Sequence, residues 1–226
     1  MESLQLIHPS LADVPEDELV HVLLSILYWR STLIQFYEIP KDGIIKERVP
    51  LDTAPGGRFR GDVDILLCAP GQPEKAVAYE VKRIKFGMSQ LRKGKPSKLG
   101  ELEKAKQQAN RLAKVGFWKV FLYVFTVVDS REQNKGQRSY AGLSNDLKQM
   151  IQSAVSTQGL DERVGLFVAD LTQSTDNHPF TIDSFGGVLR RMPTAAPQSE
   201  ELTKWVDQIF GFRTEREDQG SGLSNK

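Results

Sequence analysis

The chain has 226 residues, of which 39% are hydrophobic and 26% charged, a composition typical of one large folded domain or one domain with an appendage. No apolar run approaches the ~18–20 residues of a membrane helix and no signal peptide is recognisable, so we expect a cytoplasmic protein without a membrane segment. The formal net charge of +1 confines any nucleic-acid affinity to local patches, and the single cysteine, Cys68, excludes an intrachain disulfide and a cysteine-based zinc cluster.

A long first helix is predicted from about residue 14 to residue 37. Asp13 is a favourable N-cap, Pro15 suits the first turn, and Pro40 prevents the helix from continuing. Apolar residues recur at helical spacing at Leu19, Val22, Leu23, Ile26, Leu27, Leu33 and Ile34. This pattern indicates a deeply buried helix.

A short strand and a loop come next. The residues from Ile44 to Val49 favour a strand that ends at Pro50, and the Pro/Gly-containing segment 53–57 favours a loop. Arg58 and Arg60 flank the exit of this loop, where they either contact phosphate groups or simply solvate the loop.

The stretch from 60 to 82, RGDVDILLCAPGQPEKAVAYEVK, predicts a β-hairpin. Its first strand is centred on 63–67 and its second on 76–82. The segment 69–73, Ala-Pro-Gly-Gln-Pro, supplies the turn between them.

Ionisable side chains interrupt these otherwise apolar strands. Because side chains alternate along a strand, Glu80 and Lys82 share one face, and Asp64 lies across from them with Asp62 as its alternative. Such groups are costly to bury unless they bind something, and carboxylate oxygens are ligands suited to Mg²⁺. A glutamate two residues before a lysine is also common on solvated strand faces, where the two form only a weak ion pair.

A basic tract follows the hairpin. Between Lys82 and Lys98 there are seven lysines or arginines and no acid, and Gly87, Gly94 and Pro96 predict a loop-like conformation. Basic side chains in this position favour phosphate contact through counterion release. The candidate nucleic-acid-binding residues are Arg58, Arg60, Arg83, Lys85, Arg92, Lys93, Lys95 and Lys98.

The rest of the chain alternates helices and strands and ends in an appendage. The predicted elements are helices at 99–114 and 143–157, strands at 117–128 and 164–170, and short edge strands at 181–182 and 188–189. Near-continuous apolarity predicts that the strand at 117–128 is central and covered on both faces. The predicted divisions are a domain at 1–193, a linker at 194–198, an amphipathic helix at 199–212 and a flexible tail at 213–226.

With Asp64 after an apolar strand and Glu80-Val81-Lys82 on the next, the chain resembles the PD-(D/E)XK, or restriction-endonuclease-like, nuclease superfamily. Val63 replaces the proline of the family's name. The predicted order of helix, three strands, helix and strand over residues 13–128 is similar to the family core. The resemblance implies an α/β fold with that αβββαβ core, in which helices flank a mixed central sheet.

The resemblance also implies roles for individual residues. Asp64, Glu80 and the Val81 carbonyl would bind Mg²⁺, with Mn²⁺ as a substitute, and Lys82 would position the attacking water. Family members often add an acid from the first helix, for which Glu18 is the candidate and Glu16 and Glu38 are alternates. They also often carry a polar residue on the helix after the Glu-x-Lys strand, for which we favour Gln108 over Gln107 because it borders the apolar stripe.

The expected function is Mg²⁺-dependent hydrolysis of phosphodiester bonds, with DNA as the expected substrate, in restriction, phage defence or repair. One alternative is a nuclease-like module that binds nucleic acid without cutting it. Another is a subunit that is inactive alone and uses the C-terminal helix for homodimerisation or for docking onto a protein partner.

Overall fold

The computed structural model describes residues 15–25, 30, 43–56, 59–87, 99–129, 145–173 and 182–212. Within these residues the elements are α1 (Glu16–Ser25), β1 (Ile44–Pro50), β2 (Asp62–Cys68), β3 (Val77–Gly87), α2 (Leu99–Val115), β4 (Lys119–Asp129), α3 (Asn145–Ala154), β5 (Val164–Gln173), β6 (Ile182–Arg191) and α4 (Glu200–Phe210). A short 3₁₀ turn at Pro73–Lys75 precedes β3. No helix among the described ranges has the length and apolarity needed to cross a membrane.

A six-stranded mixed sheet with the strand order β1-β2-β3-β4-β5-β6 forms the centre of the fold. The first three strands pair antiparallel, β3, β4 and β5 pair in parallel, and β6 is antiparallel to β5. Antiparallel neighbours need only short turns, whereas parallel neighbours need a crossover, and α2 and α3 provide the two crossovers. The predicted α/β class, with helices flanking a mixed sheet, is therefore confirmed.

Both faces of the sheet are covered. On one face, α1 contributes a cluster of apolar side chains, Leu19, Val20, Leu23 and Leu24, that packs on β2, β3 and β4. On the other face, residues of α2, α3 and α4 pack against the same strands. Successive residues of β4 from Val120 to Phe125 are all buried, which confirms the prediction of a central strand covered on both sides.

The basic tract is not loop-like throughout. β3 continues to Gly87, because β4 offers a parallel partner at every position up to the pair Gly87↔Asp129. The backbone ladder thus extends the strand through the glycine that indicated a loop. Residues 88–98 lie outside the described residues.

One strand, β6, replaces the two predicted short edge strands. Gly186 and Gly187 lie between the two short strands expected from the sequence. Both nevertheless pair with β5, within a ladder that runs from Ile182 to Arg191. A Cβ atom at Gly187 would overlap the ring of Phe167 on β5. The glycine is therefore needed for close packing inside a strand and does not end one.

The predicted linker is hydrogen-bonded to the domain. Its Ala196 N–H donates to the Trp118 carbonyl at 2.9 Å, and Gln198 Nε2 donates to the Pro73 carbonyl at 3.0 Å. These bonds fix where the following helix begins.

The predicted C-terminal helix is present as α4, capped by Ser199 and by Gly211 in the left-handed conformation. Leu202, Trp205 and Val206 are buried in the core cluster on the α2 side of the sheet. Docking of a partner onto this apolar stripe would therefore require α4 to detach from the domain. The predicted tail at 213–226 lies outside the described residues.

Candidate functional site

The candidate site lies where β2 separates from β3. The ladder between these strands consists of the pairs Ile65↔Tyr79, Leu66↔Ala78 and Leu67↔Val77. On its other side, β3 pairs with β4 from Val77 to Gly87. Beyond Tyr79, therefore, β2 no longer pairs with β3. We call this side of β3, from Glu80 to Arg83, the open edge.

Two carboxylates take the place of β2 along the open edge. Along a strand, alternate backbone N–H groups point to the same side. The Val81 N–H donates to Asp64 Oδ2 at 2.6 Å, and the Arg83 N–H donates to Glu16 Oε2 at 2.7 Å. Side chains of β2 and α1 thus satisfy backbone donors that a neighbouring strand would otherwise pair.

A kink in the β1–β2 hairpin turns Asp64 toward this edge. Residues two apart on a strand normally share a face, yet Val63 belongs to the α2-side cluster and Ile65 to the α1-side cluster. Arg48 and Asp64 lie between the pairs Glu47↔Ile65 and Val49↔Val63, and Arg48 has a φ of 52°, a left-handed conformation that is unusual for a non-glycine residue. Between Val63 and Ile65, therefore, the side chains of β2 switch from one face of the sheet to the other.

Glu80 is the most buried acid of the site, with 4% of its surface exposed. Burial, and then the negative charge of Asp64, raises the pKa of Glu80 to about 9. Within the described residues its carboxyl group makes no hydrogen bond. A largely buried acid without a hydrogen bond to protein is stabilised by a proton, a water molecule or a bound cation.

Asp64 has a smaller shift in the same direction. Burial raises the pKa of Asp64 to about 7, the Val81 N–H opposes that rise, and the charge of Glu16 adds to it. The negative charges of Glu16 and Asp62 thus raise the pKa values of both Asp64 and Glu80. Among the described residues, Lys82 is the cation whose charge lowers both of these pKa values.

Lys82 is held at the open edge by the first helix. Its Nζ lies 2.9 Å from Glu16 Oε1, and both side chains are partly exposed. Glu16 therefore binds the backbone of Arg83 with one oxygen and the Lys82 ammonium with the other. This double contact fixes the position of the ammonium beside Asp64 and Glu80.

Gln108 reaches the site from α2. It lines a cavity of about 30 Å³ together with Glu80, Asp62 and Arg60. Both glutamines are exposed, but Gln107 does not line this cavity. Of the two glutamines considered from the sequence, the structure thus brings Gln108 next to Glu80.

The first-helix acid in the site is Glu16 and not Glu18, the residue that the sequence analysis preferred. Glu18 is exposed, whereas Glu16 contacts Lys82 and Arg83. Glu16 precedes Leu19 and Leu23 by three and seven residues, so it extends the buried stripe of α1 toward the sheet. That spacing was a usable signal in the sequence.

The candidate nucleic-acid-binding residues are only partly described. Arg60 lines the small cavity, and Arg83 and Lys85 are half-buried on β3. The other candidates lie outside the described residues, as does the alternate acid of the first helix: Arg58, Arg92, Lys93, Lys95, Lys98 and Glu38. Arg111 on α2, which the sequence analysis did not consider, lines the same cavity as Glu80 and Gln108.

The donor atoms of the site fit a hard cation. In the described part of the chain, no three His, Cys, Asp or Glu side chains form a ready-made metal cluster. Mg²⁺, however, takes only one or two carboxylates and keeps several waters. Asp64 and Glu80 supply two carboxylates, and the Val81 carbonyl shares the edge of the Val81 N–H that Asp64 contacts.

A scan of protein-family models and a search of curated proteins gave no match to this chain.

Proposed function

We propose that this chain is a Mg²⁺-dependent nuclease of the PD-(D/E)XK type that hydrolyses phosphodiester bonds in nucleic acid, with DNA as the expected substrate. The observation that carries the proposal is the convergence of Asp64, Glu80 and Lys82 at the open edge of β3. The element order α1-β1-β2-β3-α2-β4, which has the αβββαβ arrangement of that family's core, supports it.

Asp64, Glu80 and the Val81 carbonyl would hold the metal. When bound there, Mg²⁺ would lower the pKa of a water molecule and offset negative charge on the phosphate group. The raised pKa values of Asp64 and Glu80 mean that the metal-free site holds protons near neutral pH. A cation would have to displace those protons, so its binding is expected to depend on pH.

Besides the metal ion, the site would contain a positive charge from the protein, the Lys82 ammonium. Its ammonium can donate a hydrogen bond to the attacking water or to a phosphate oxygen while Glu16 fixes its position at 2.9 Å. Glu16 is therefore a positioning residue that works through Lys82. Gln108, on the cavity wall with Glu80, is placed to orient a water molecule beside that carboxylate.

A second candidate function is nucleic-acid binding without cleavage. The Asp64 carboxylate accepts the Val81 N–H and the Glu16 carboxylate accepts the Arg83 N–H, so both acids have a structural role that needs no metal. Such a module would keep the fold and the basic surface but would not use Glu80. This candidate and the nuclease differ in what Glu80 does.

The test is an assay of plasmid and single-stranded DNA with Mg²⁺, with Mn²⁺ and with EDTA. We expect cleavage that requires the metal and is lost in Glu80→Ala and Lys82→Ala. The matched controls are Glu74→Ala and Lys75→Ala, whose parent residues are exposed on the 3₁₀ turn before β3. Binding without cleavage by the wild type would favour the binding module, and cleavage that survives in Glu80→Ala would reject the proposed site.

A further inference from the structure

Two exposed arginines line the small cavity beside Glu80. Arg60 comes from the segment before β2, and Arg111 comes from α2, three residues after Gln108 and thus on the same side of the helix. Asp62 and Glu80 line the cavity with them. Arg60 is a candidate for phosphate contact from the sequence alone, whereas Arg111 is not.

Neither guanidinium has a structural contact in the part of the chain that the structure describes. Within the described ranges, Arg60 and Arg111 make no hydrogen bond or ion pair, even though two carboxylates share their cavity. Other basic residues of the domain are used differently. Arg163 pairs with Asp161 at 3.1 Å, and Arg191 donates to the carbonyls of Val164 and Asp161.

Both arginines can be reached from solvent. Each is exposed, and each lines the wall of a cavity of about 30 Å³. A ligand can therefore present compact acceptor atoms to the two guanidinium groups. Phosphate oxygens match the planar, forked donors of arginine.

We infer that Arg60 and Arg111 form a two-sided phosphate-binding site at this cavity, which holds a backbone phosphate of nucleic acid beside Glu80. The inference rests on the proposed function for the identity of the ligand and for the bond that is cut nearby. Because phosphate groups carry no base identity, these contacts would position the strand without selecting a sequence. Arg111 is thus assigned as a substrate-binding residue.

The experiment measures binding of short fluorescent single-stranded and duplex DNA to the full chain by anisotropy, in EDTA and in Ca²⁺, at several salt concentrations. The variants are Arg111→Gln, Arg60→Gln, Arg111→Lys and, as a control of equal charge change, Lys114→Gln. Lys114 is exposed on the same helix and does not line the cavity. Circular dichroism and thermal melting check that each variant is folded.

We expect Arg111→Gln and Arg60→Gln each to weaken binding about 5- to 10-fold and to reduce the salt slope by about one. Arg111→Lys should recover part of the affinity, since it keeps the charge but loses the fork. Lys114→Gln should bind like the wild type. The inference is overturned if the wild type does not bind, if Arg111→Gln binds with wild-type affinity and salt slope, or if Lys114→Gln loses as much as Arg111→Gln.

Cleavage assays on the same variants separate this inference from the proposed function. If the wild type binds DNA through Arg111 but does not cut it with Mg²⁺, the phosphate site stands and the nuclease proposal fails. If the wild type cuts and Arg111→Gln binds and cuts equally well, the nuclease proposal stands and the phosphate site fails. In a cutting enzyme, Arg111→Gln should raise KM more than it lowers kcat.

Discussion

The two edges of β3 satisfy their backbone groups in different ways. Toward β4, the strand has a parallel partner at each position from Val77 to Gly87, and the side chains of β4 beside it are almost entirely apolar. Toward β2, the ladder ends at Tyr79, and carboxylates of Asp64 and Glu16 bind the next two N–H groups on that side. One strand therefore has a structural edge and an edge lined by charge.

A second comparison concerns two buried ionisable residues. Lys106 on α2 is 3% exposed, and its ammonium is satisfied by Glu103 at 2.9 Å and the Gln158 carbonyl at 2.6 Å. Glu80 is 4% exposed, but its carboxyl group has no hydrogen bond among the described residues. The Lys106 ammonium therefore has the partners that a buried charge needs, whereas the Glu80 carboxyl group can still take up a proton, a water molecule or a ligand.

The largest expected effect is the loss of cleavage when Glu80, at the open edge, is changed. Glu80→Gln keeps the shape of the side chain but removes the charge that a cation needs, so we expect the metal-dependent cleavage rate to fall by about 10³-fold. The initial rate of plasmid cleavage at saturating Mg²⁺ measures it. Glu74→Gln is the control, and a rate within a few-fold of wild type for Glu80→Gln would remove Glu80 from the site.

The next largest expected effect is a loss of stability from a change at the structural edge, where β3 pairs with β4. Leu122 lies beside Glu80 on β4 and is fully buried, so Leu122→Ala should lower the free energy of unfolding by about 2–5 kcal/mol. Urea denaturation measures the loss. Cleavage per folded molecule should stay near the wild-type value, and a large specific loss of activity would show that the two edges are not separable.

Glu16 links α1 to the open edge, and its loss should have an intermediate effect. Glu16→Gln leaves Lys82 without its anionic partner, and partners of this kind typically contribute about 10- to 100-fold to activity. Glu18→Gln, on the exposed side of the same helix, is the matched control and should cut like the wild type. Equal effects of the two changes would contradict the role given to Glu16.

The smallest expected effect is on stability as a function of pH without divalent cations. The folded-state pKa values of Asp64 and Glu80 are raised to about 7 and about 9, so the folded chain binds more protons than the unfolded chain above about pH 4. The contribution of these groups to stability is therefore lost as pH rises toward 9, and Glu80→Gln should reduce that loss.

Urea unfolding in EDTA between pH 5 and about pH 9 measures this dependence. The control Glu74→Gln should show the wild-type pH dependence. A wild-type protein whose unfolding free energy rises over this interval, with Glu80→Gln showing the same rise, would show that Glu80 is not a buried proton-holding acid.

Much of the fold was predictable because it depends on local patterns. The alternating and continuous apolar runs around Ile65, Val81 and Phe121 fixed the strands and their order along the chain. The extension of β3 to Gly87 and the continuity of β6 through Gly187 were not predictable in this way. Both depend on neighbouring strands that supply backbone partners despite weak local propensity.

The candidate site was predictable in composition but not in detail. The spacing of Asp64, Glu80 and Lys82 was sufficient to expect them together, because hairpin geometry places neighbouring strands side by side. To choose between Glu16 and Glu18, one must know which side of α1 faces the sheet. To identify Arg111, one must know how α2 lies relative to the segment before β2, and no local sequence pattern contains that information.

The most direct test of the central claim is calorimetric titration of the full chain with Mn²⁺ at several pH values, for the wild type, Asp64→Asn and Glu80→Gln. We predict one ion per wild-type chain, with proton release and an affinity that rises between about pH 7 and about pH 9, and no binding in either variant. Absence of binding to the wild type, or unchanged binding in both variants, would contradict the claim that these two carboxylates share a divalent cation.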